Sequence, residues 1–259
     1  LAASGKLDRR ELCRALLDDR GDMLVIAGLG APAWDITAVG DRAENFPLWG
    51  GMGGAAMIGL GLALAQPARK VLVITGDGEM LMGVGSLATI AVQRPRNLSV
   101  VVLDNEHYGE TGMQETHTRH GVDLAGMAKA AGFADARLIR EAAEVHALRE
   151  AIHAGNGPLF AQIKVDEKNE PLVLPPREAS ILQARMREAI LGPEAHLNEP
   201  VLCLRSLHPE AIEKLRSHPG ITVQVLEDIN PQTLAEALPK AEAVTVRATR
   251  IDRTPTGRP

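Results

Sequence analysis

The sequence has 259 residues, of which 45% are hydrophobic and only 2% are aromatic. This length is compatible with one large domain or two smaller ones, and the aliphatic composition is typical of a parallel sheet covered by helices. The net charge is −5 and no basic cluster is present, so nucleic acid is not an expected partner. No apolar run reaches the roughly 18–20 residues that a membrane-spanning helix needs.

The cysteines and the first residues bear on redox chemistry and location. Cys13 and Cys203 are far apart and form no CxxC pattern, so the sequence indicates buried thiols and no zinc or iron–sulfur site. The chain starts at Leu1 rather than Met and without a signal-like segment, which we expect for a trimmed or partial chain of a cytoplasmic protein.

The first part of the chain predicts one helix and one strand before the first glycine-rich segment. Residues 7–19 have their leucines on one stripe and predict an amphipathic helix. Residues 22–27 (DMLVIA) predict a buried strand, and residues 28–32 (GLGAP) predict the turn at its end. Residues 41–49 are expected to form a loop, which is either a plain connection or a part of the substrate site.

The stretch from residue 70 to residue 112 has the strongest pattern in the sequence. Residues 70–75 and 98–103 are short runs rich in Val, Ile and Leu, which predict strands buried on both faces. Between them, Gly76-Asp77-Gly78 breaks the first strand, and residues 80–92 predict a packed helix. Such a strand–helix–strand unit is a right-handed parallel crossover, and ligands bind where its strands end.

The residues at those strand ends suit a metal-bridged diphosphate. Gly76 and Gly78 let the backbone turn and let an anion approach its N–H groups, and the helix that follows presents its N-terminus. An isolated carboxylate would repel a phosphate, so Asp77 makes sense if a divalent cation lies between them. Mg²⁺ prefers hard oxygen ligands, which Asn105 and the carbonyl of His107 can supply. The sequence therefore predicts a magnesium site made by Asp77, Asn105 and His107.

These residues resemble the diphosphate-and-metal motif of thiamine diphosphate (ThDP) enzymes. Asn105 follows Asp77 by twenty-eight positions, and the family's usual Asn-Asn is Asp104-Asn105 here, so the amide ligand is assigned to Asn105 only. The resemblance implies an α/β fold with a three-layer parallel sheet and helices on both faces, and it implies ThDP and Mg²⁺ as cofactors. It assigns cofactor contacts to Gly28, Gly30, Gly51, Met52, Gly53, Gly76, Asp77, Gly78, Glu79, Asn105, His107, Tyr108 and Gly109.

A second segment supports the resemblance. Residues 49–54 (WGGMGG) precede a predicted helix of small residues, 55–65. In ThDP enzymes a glycine–apolar–glycine segment places a bulky side chain under the cofactor, which then bends so that its 4′-amino group reaches the reactive C2. Met52 matches that side chain, and the backbone at Gly51 and Gly53 matches the contacts to the pyrimidine.

A polar loop follows the motif, from residue 110 to residue 120 (ETGMQETHTRH). It is similar to loops of sulfopyruvate and phosphonopyruvate decarboxylases, whose substrates carry a second anionic group. The alternative is a solvated loop without a role in the site. The resemblance implies that the loop binds such an anion or donates protons, with Thr111, Gln114, Thr116 and Arg119 as substrate candidates and His117 and His120 as catalytic candidates.

The next residues complete the alternation of strands and helices. Asp123 is expected to cap a helix. Residues 134–139 and 158–165 predict strands, residues 141–154 and 178–191 predict helices, and residues 171–176 predict a proline-bounded extension. We therefore expect a diphosphate- and metal-binding domain over residues 1–192 and a linker over residues 193–200.

No pyrimidine-binding domain is evident in the sequence, although ThDP enzymes need one. In the family, a glutamate of that domain hydrogen-bonds the aminopyrimidine and promotes deprotonation of C2. The residues before the motif are too few to form it, and neither Glu44 nor Glu79 stands in a matching context. The resemblance therefore implies that a partner subunit supplies this glutamate in a hetero-oligomer, as in two-chain sulfopyruvate decarboxylases.

The last part of the chain predicts a separate segment over residues 201–250. Strands are predicted at 201–207, 221–226 and 243–248, and helices at 209–216 and 230–238, which is the start of a flavodoxin-like sheet. This segment resembles the N-terminal part of D-2-hydroxyacid dehydrogenases. It contains no GxGxxG fingerprint and no matching catalytic histidine, so we expect no dehydrogenase activity. Residues 251–259 are expected to form a disordered tail. The segment is either the beginning of a fused dehydrogenase or a finished accessory module.

The sequence therefore favours an enzyme subunit. The leading interpretation is ThDP- and Mg²⁺-dependent, non-oxidative decarboxylation of a 2-oxo acid resembling sulfopyruvate or phosphonopyruvate, which yields an aldehyde. A carboligase of the acetolactate synthase type is the first alternative, but it would need a middle domain. A ferredoxin-coupled oxidoreductase subunit would need cluster cysteines, which the sequence lacks. An alternative of another class is a cofactor-binding assembly module without catalysis of its own.

Overall fold

The fold is taken from a computed structural model. It describes residues 6–192, 195, 199–204, 209–217, 221–226, 230–237 and 243–246. The chain divides into two compact units, Leu1–Ala189 and Ile190–Pro259. Each unit is described by itself.

Strands and helices alternate along the first unit. Up to Leu191 the elements are α1 (Arg9–Leu17), β1 (Leu24–Ala27), α2 (Ala31–Gly40), β2 (Asn45–Pro47), α3 (Ala55–Ala65), β3 (Val71–Gly76), α4 (Asp77–Met82), α5 (Ser86–Gln93), β4 (Leu98–Asp104), β5 (His107–Tyr108), β6 (Gln114–Glu115), a 3-10 helix (His117–His120), α6 (Leu124–Ala131), β7 (Asp135–Ile139), α7 (Ala142–Ala154), β8 (Leu159–Lys164) and α8 (Ala179–Leu191).

Six of these strands form one parallel sheet in the order β2-β1-β3-β4-β8-β7. The order places β1, β3 and β4 side by side at its centre, with Leu24 opposite Val71 and Val71 opposite Leu98. Because all the strands run the same way, their carboxyl ends meet at one edge of the sheet. Ala27, Gly76 and Asp104 therefore end their strands along the same edge.

The core lies on both faces of this sheet, which confirms the predicted three-layer α/β fold. Every residue of β1 and β4 is buried, as expected for strands covered on two sides. On one face, Leu12 of α1, Ile36 of α2 and Leu148 of α7 share a cluster with the sheet residues. On the other face, α3 approaches so closely that a Cβ at Gly59 would collide with Val73. Each fully buried leucine or isoleucine stabilises this arrangement by roughly 1.5–3 kcal/mol.

Most elements have the type that the sequence predicts, but three predictions were wrong. Residues 31–40 form a helix, whereas the sequence predicts a turn up to residue 32 and no element for residues 33–40, and Asn45–Pro47 is an edge strand inside the loop predicted at 41–49. The helix predicted at 80–92 is two helices, α4 and α5, and α4 already begins at Asp77. Gly83 separates them because it packs against Gly53, and a Cβ there would collide with the Gly53 carbonyl.

The helix starts have clear local causes. The Asp8 carboxylate accepts a hydrogen bond from the backbone N–H of Glu11 (2.9 Å) before α1. Asp123 caps α6 as predicted, with its carboxylate 2.9 Å from the backbone nitrogen of Gly126. Such caps contribute about 1 kcal/mol each because they satisfy N–H groups that a helix leaves free.

The second unit contains β9 (Glu199–Leu204), α9 (Pro209–Arg216), β10 (Ile221–Leu226), α10 (Pro231–Ala237) and β11 (Ala243–Val246). Its three strands are parallel in the order β10-β9-β11, so the predicted alternation of strands and helices is present. Most of the predicted linker and the predicted tail at 251–259 lie outside the described residues.

Cys13 is a free, buried thiol, as the sequence predicts, and the side chain of Cys203 lies outside the described part of the chain. No helix in the described ranges is long and apolar enough to cross a membrane.

Candidate functional site

A cavity of about 170 Å³ opens at the carboxyl edge of the parallel sheet. It lies where ligands bind in open α/β sheets, and segments that are far apart in sequence contribute its walls. The residues that line it are Arg9, Leu29, Gly30, Ala31, Pro32, Trp34, Met52, Gly76, Asp77, Gly78, Glu79, Leu103, Asn105, His107, Tyr108, Gly109, Glu110, Thr111 and Asn169.

Asp77 is the first residue of α4 and is 1% exposed. Its Oδ2 atom accepts a hydrogen bond from the hydroxyl of Thr116 and lies 2.9 Å from the hydroxyl of Thr118, whose single proton is shared between Asp77 and Asp104. Burial raises the pKa of Asp77 to about 6, with a further rise from the charge of Asp104 and opposing hydrogen bonds from the two threonines. The two threonines therefore hold a carboxylate whose charge is costly until a cation binds it.

Gly78 follows Asp77 and has no room for a side chain. A Cβ at Gly78 would collide with the ring of Tyr108, which comes from the neighbouring strand end. This close approach explains why a glycine is needed after Asp77. It also keeps the loop of Tyr108 against the start of α4, where both line the cavity.

Asn105 follows β4 directly and is 8% exposed. Its Oδ1 accepts a hydrogen bond from the backbone nitrogen of His107 (3.2 Å), and its own carbonyl oxygen lies 2.9 Å from Nδ1 of the His107 ring. The residue between them, Glu106, has φ of 66°, an unfavourable conformation for a side-chain-bearing residue. Its carboxylate is held by Lys164 (2.7 Å) and Arg119 (3.1 Å), so the loop has a fixed shape.

Asp104 stands where ThDP enzymes commonly have the first asparagine, and it does not line the cavity. It is fully buried, and its carboxylate accepts hydrogen bonds from Gln162 (2.6 Å) and Thr118 (2.7 Å) and pairs with Lys164 (2.7 Å). Burial lowers the pKa of Lys164, but the hydrogen bonds to Asp104 and Glu106 outweigh it and the pKa is raised overall. Asp104 therefore positions the loop and Thr118, whereas Asn105 lines the cavity.

The segment at Gly51–Gly53 lies beside α4. Gly51 and Gly53 have φ of 71° and 89°, values that favour glycine, and Met52 between them lines the cavity. The buried Glu79 carboxylate accepts hydrogen bonds from the backbone nitrogens of Gly53 (2.9 Å) and Ala55 (3.2 Å). Burial raises the pKa of Glu79 despite these bonds. Glu79 therefore connects the helix of Asp77 with the turn that carries Met52.

The structure brings most of the sequence-predicted cofactor residues to one cavity. Gly28, Gly51 and Gly53 do not line it. Gly28 instead lies under Thr75 and Glu79, where a Cβ would collide with both side chains. The predicted contacts that line the cavity are Gly30, Met52, Gly76, Asp77, Gly78, Glu79, Asn105, His107, Tyr108 and Gly109.

The polar loop contributes less to the cavity than the sequence suggests. Of its six candidates only Thr111 lines the cavity, and Gln114 bonds Thr111 (2.7 Å). Thr116 donates to Asp77, which makes it a support of the proposed metal ligand.

Two of the three basic candidates of this loop lie beside acidic side chains. Arg119 lies 3.1 Å from Glu106, and His120 lies 3.2 Å from Glu115. His117 begins the 3-10 helix and does not line the cavity.

Eight residues of the cavity are missed by the sequence reasoning. The sequence offers no strong amphipathic pattern for α2, whose residues are mostly small and apolar, so Ala31, Pro32 and Trp34 are missed together with Leu29, although Gly30 between them is predicted. Arg9 and Asn169 lie far from every recognised motif along the chain, so no sequence signal points to them. The missed residues are Arg9, Leu29, Ala31, Pro32, Trp34, Leu103, Glu110 and Asn169.

Comparison with known proteins identifies the family. Residues 37–163 match the family model described as thiamine pyrophosphate enzyme, C-terminal TPP binding domain. Sulfopyruvate decarboxylase subunit beta of Methanothermobacter thermautotrophicus is 37% identical over 186 residues, which are 72% of this chain and 97% of that protein. The chain belongs to the family of sulfopyruvate decarboxylase beta subunits.

The chain is also similar to one further decarboxylase in sequence and to one solved structure in fold. Phosphonopyruvate decarboxylase of Streptomyces viridochromogenes is 34% identical over 196 residues, which are 73% of this chain and 47% of the relative. The solved structure of 4-hydroxybenzoylformate decarboxylase from Rhodococcus jostii RHA1 aligns with a TM-score of 0.55 at 16% identity, covering 66% of this chain and 34% of that one. This structural likeness confirms the fold.

Proposed function

We propose that this chain is the diphosphate- and metal-binding subunit of a ThDP-dependent 2-oxo acid decarboxylase. The observation that carries the proposal is the convergence of Asp77, Asn105 and His107 on one cavity in a chain of this family. The substrate class is a 2-oxo acid with a second anionic group, of which sulfopyruvate and phosphonopyruvate are the examples that the relatives' names provide.

The residues at the cavity suit the cofactor and its metal. Both threonine hydroxyls lie at Oδ2 of Asp77, and no described side chain donates to Oδ1. The described residues hold no group of three His, Cys, Asp or Glu side chains suited to a metal. Mg²⁺ does not need one, because it is commonly held by one or two protein oxygens together with phosphate oxygens. Asp77, the Asn105 amide and the His107 carbonyl would supply the protein's share.

Each part of the chain has a separate task in this proposal. When bound, ThDP supplies the carbanion-stabilising centre that a decarboxylation needs. Met52 lines the cavity and would contact and orient the cofactor, and Glu79 holds the turn that carries Met52. Leu29, Trp34 and Leu103 line the cavity with apolar surface, which excludes water from it.

The activating glutamate comes from a partner subunit in this proposal. Glu79 is engaged with backbone groups of residues 53–55, and Glu44 pairs with Arg42 (3.2 Å), so neither is free to reach an aminopyrimidine. Apolar side chains are exposed on α3, on α5 and between them, and these helices pack against each other. An apolar surface of this kind is typical of a protein interface. Its exposed members are Met57, Leu64, Met82, Val84 and Val92.

The second unit is not needed for this chemistry. Its resemblance to the N-terminal part of D-2-hydroxyacid dehydrogenases supports a proposal about its fold alone, and we assign no dehydrogenase activity to it. The cytoplasmic location and the domain boundaries at residues 192 and 200 stay predictions from the sequence.

Co-purification from the native source followed by an assay with a panel of 2-oxo acids, ThDP and Mg²⁺ tests the proposal. We expect a co-purifying pyrimidine-domain subunit, aldehyde and CO₂ formation by the complex, and none by the chain alone. Asp77→Asn in the same complex is the matched inactive control. Robust decarboxylation by the isolated chain would contradict the two-subunit proposal. A complex that binds ThDP but decarboxylates none of the acids would favour the assembly-module alternative.

A further inference from the structure

We propose that Arg9, at the start of the first helix, binds the terminal phosphate of ThDP. The inference rests on the proposed function, because it assigns a new binding residue to the same cavity. Arg9 lines that cavity together with Gly30 and Asp77, although it lies far from both in sequence. No motif that predicts the site includes it.

Arg9 is buried and held in position by one carboxylate. It is 5% exposed, and its Nε atom lies 3.2 Å from Oδ2 of Asp35, which is 0% exposed. The Arg9 Nε atom makes no hydrogen bond to any described residue. Burying a guanidinium is costly unless anions satisfy its donors, so a buried arginine that lines a cavity suits an anion bound there.

Two arginines share the single carboxylate of Asp35. Arg10 also pairs with it, with its Nε 3.1 Å from Oδ1, and donates a hydrogen bond to the carbonyl of Pro171. One carboxylate balances only one of the two positive charges. Of these two arginines, Arg9 lines the cavity and Arg10 does not, so only Arg9 can reach an anion bound there.

The cavity needs this charge because its other ionisable side chains are mostly acidic. Asp77, Glu79 and Glu110 line it, and among its described lining residues Arg9 is the one arginine, with no lysine. A diphosphate with one Mg²⁺ keeps a net negative charge near physiological pH, so the carboxylates that the metal does not neutralise repel it.

The neighbouring helix terminus does not supply enough donors by itself. Gly30 precedes α2 without a side-chain cap, Pro32 has no N–H, and the N–H of Ala33 already bonds the Gly30 carbonyl (3.0 Å). Residues 28–32 contain no serine or threonine hydroxyl. A guanidinium offers paired donors that match two phosphate oxygens, which compensates for this shortage.

The test is the affinity of Arg9→Gln for ThDP, with Arg10→Gln as the matched control. Both variants remove one arginine from Asp35, but only Arg9 lines the cavity. Affinity for ThDP, thiamine monophosphate and inorganic pyrophosphate, each with Mg²⁺, is measured by calorimetry and by tryptophan fluorescence, to which the cavity residue Trp34 contributes. We expect Arg9→Gln to weaken ThDP and pyrophosphate binding by about 10- to 100-fold, as for a lost charged hydrogen bond, and thiamine monophosphate binding by less than about threefold. Arg10→Gln is expected to stay within about threefold for all three.

Several results would overturn the inference. If Arg9→Gln binds ThDP as tightly as wild type, Arg9 does not contact the phosphate. If Arg10→Gln loses as much affinity as Arg9→Gln, the loss comes from a change in the fold around Asp35. An equal loss for the monophosphate would show that the terminal phosphate is not the contact. If Arg9→Gln does not fold, Arg9→Lys is tested in its place. The inference is then wrong if the ratio of the affinities for ThDP and thiamine monophosphate is the same in Arg9→Lys as in wild type.

The pyrophosphate arm separates this inference from the proposed function. If wild type binds pyrophosphate more tightly than Arg9→Gln does but does not bind ThDP, the result contradicts the proposed function and supports the phosphate contact of Arg9. Wild-type protein that binds neither contradicts both.

Discussion

Replacing Asp77 by asparagine is expected to stabilise the metal-free protein while it abolishes the response to the cofactor. Burial and the nearby Asp104 raise the pKa of Asp77 from 3.8 to about 6, so its charged form is disfavoured in the folded state. This difference in pKa corresponds to about 3 kcal/mol. The asparagine oxygen can still accept the hydrogen bonds from Thr116 and Thr118, so the variant loses the unfavourable charge and little else.

The pH dependence of this effect has a definite sign. A pKa that is raised in the folded state means that the contribution of Asp77 to stability is full below pH 4 and is lost as the pH rises through about 6. Asp77→Asn has no such loss. In denaturant unfolding with a chelator, the variant and wild type should therefore have similar free energies of unfolding near pH 4, and the variant should be about 3 kcal/mol more stable at pH 7.

The order of stability reverses when cofactor and metal are present. A ligand at 100 times its Kd stabilises the folded state by about 2.7 kcal/mol, so ThDP with Mg²⁺ raises the stability of wild type. Asp77→Asn should show no Mg²⁺-dependent rise, since the bridging carboxylate is gone. If the variant is less stable than wild type at pH 7 without metal, by an amount that does not depend on pH, the charge of Asp77 is not unfavourable in the folded state.

Three further substitutions test the supports of the site. Lys164→Met leaves the fully buried Asp104 without its cation and should lower the free energy of unfolding, measured in urea, by about 3–5 kcal/mol. A loss below about 1 kcal/mol would contradict the role of Lys164 as the counterion of Asp104. Glu79→Ala removes the acceptor of the Gly53 N–H and should cost about 2–3 kcal/mol in the same assay, whereas Glu79→Gln keeps an acceptor oxygen and should stay within about 1 kcal/mol. The Met52 side chain is 38% exposed, so Met52→Ala should change the free energy of unfolding by less than about 1 kcal/mol. The variant should keep nearly all of its affinity for ThDP, but exchange of the C2 proton of ThDP with solvent deuterium should be slower in the complex.

The central strands and the motif at their ends could be predicted because local sequence determines them. A strand buried on both faces reads as a run of Val, Ile and Leu, and β3 and β4 have that pattern. Gly76, Asp77 and Asn105 follow these strands directly, so the parallel arrangement is sufficient to bring them together.

The errors have a common physical cause, which is contact between segments that are distant in sequence. The break between α4 and α5 depends on the approach of Gly83 to Gly53, and the sequence around Gly83 does not record that approach. Thr116 is predicted to contact the substrate, but it donates to Asp77 instead, because the hairpin after β4 folds back onto Asp77. Arg9 reaches the cavity because α1 packs against α2 beside Asp35, which no local pattern indicates.

A crystal structure of the chain with ThDP and Mg²⁺, in complex with its partner subunit, would show directly whether this cavity holds the metal and the diphosphate. The account predicts one octahedral ion bridging the diphosphate to the Asp77 carboxylate, the Asn105 amide oxygen and the His107 carbonyl, at about 2.0–2.1 Å from each. A diphosphate bound elsewhere, or an ion held in this cavity without Asp77, would contradict it.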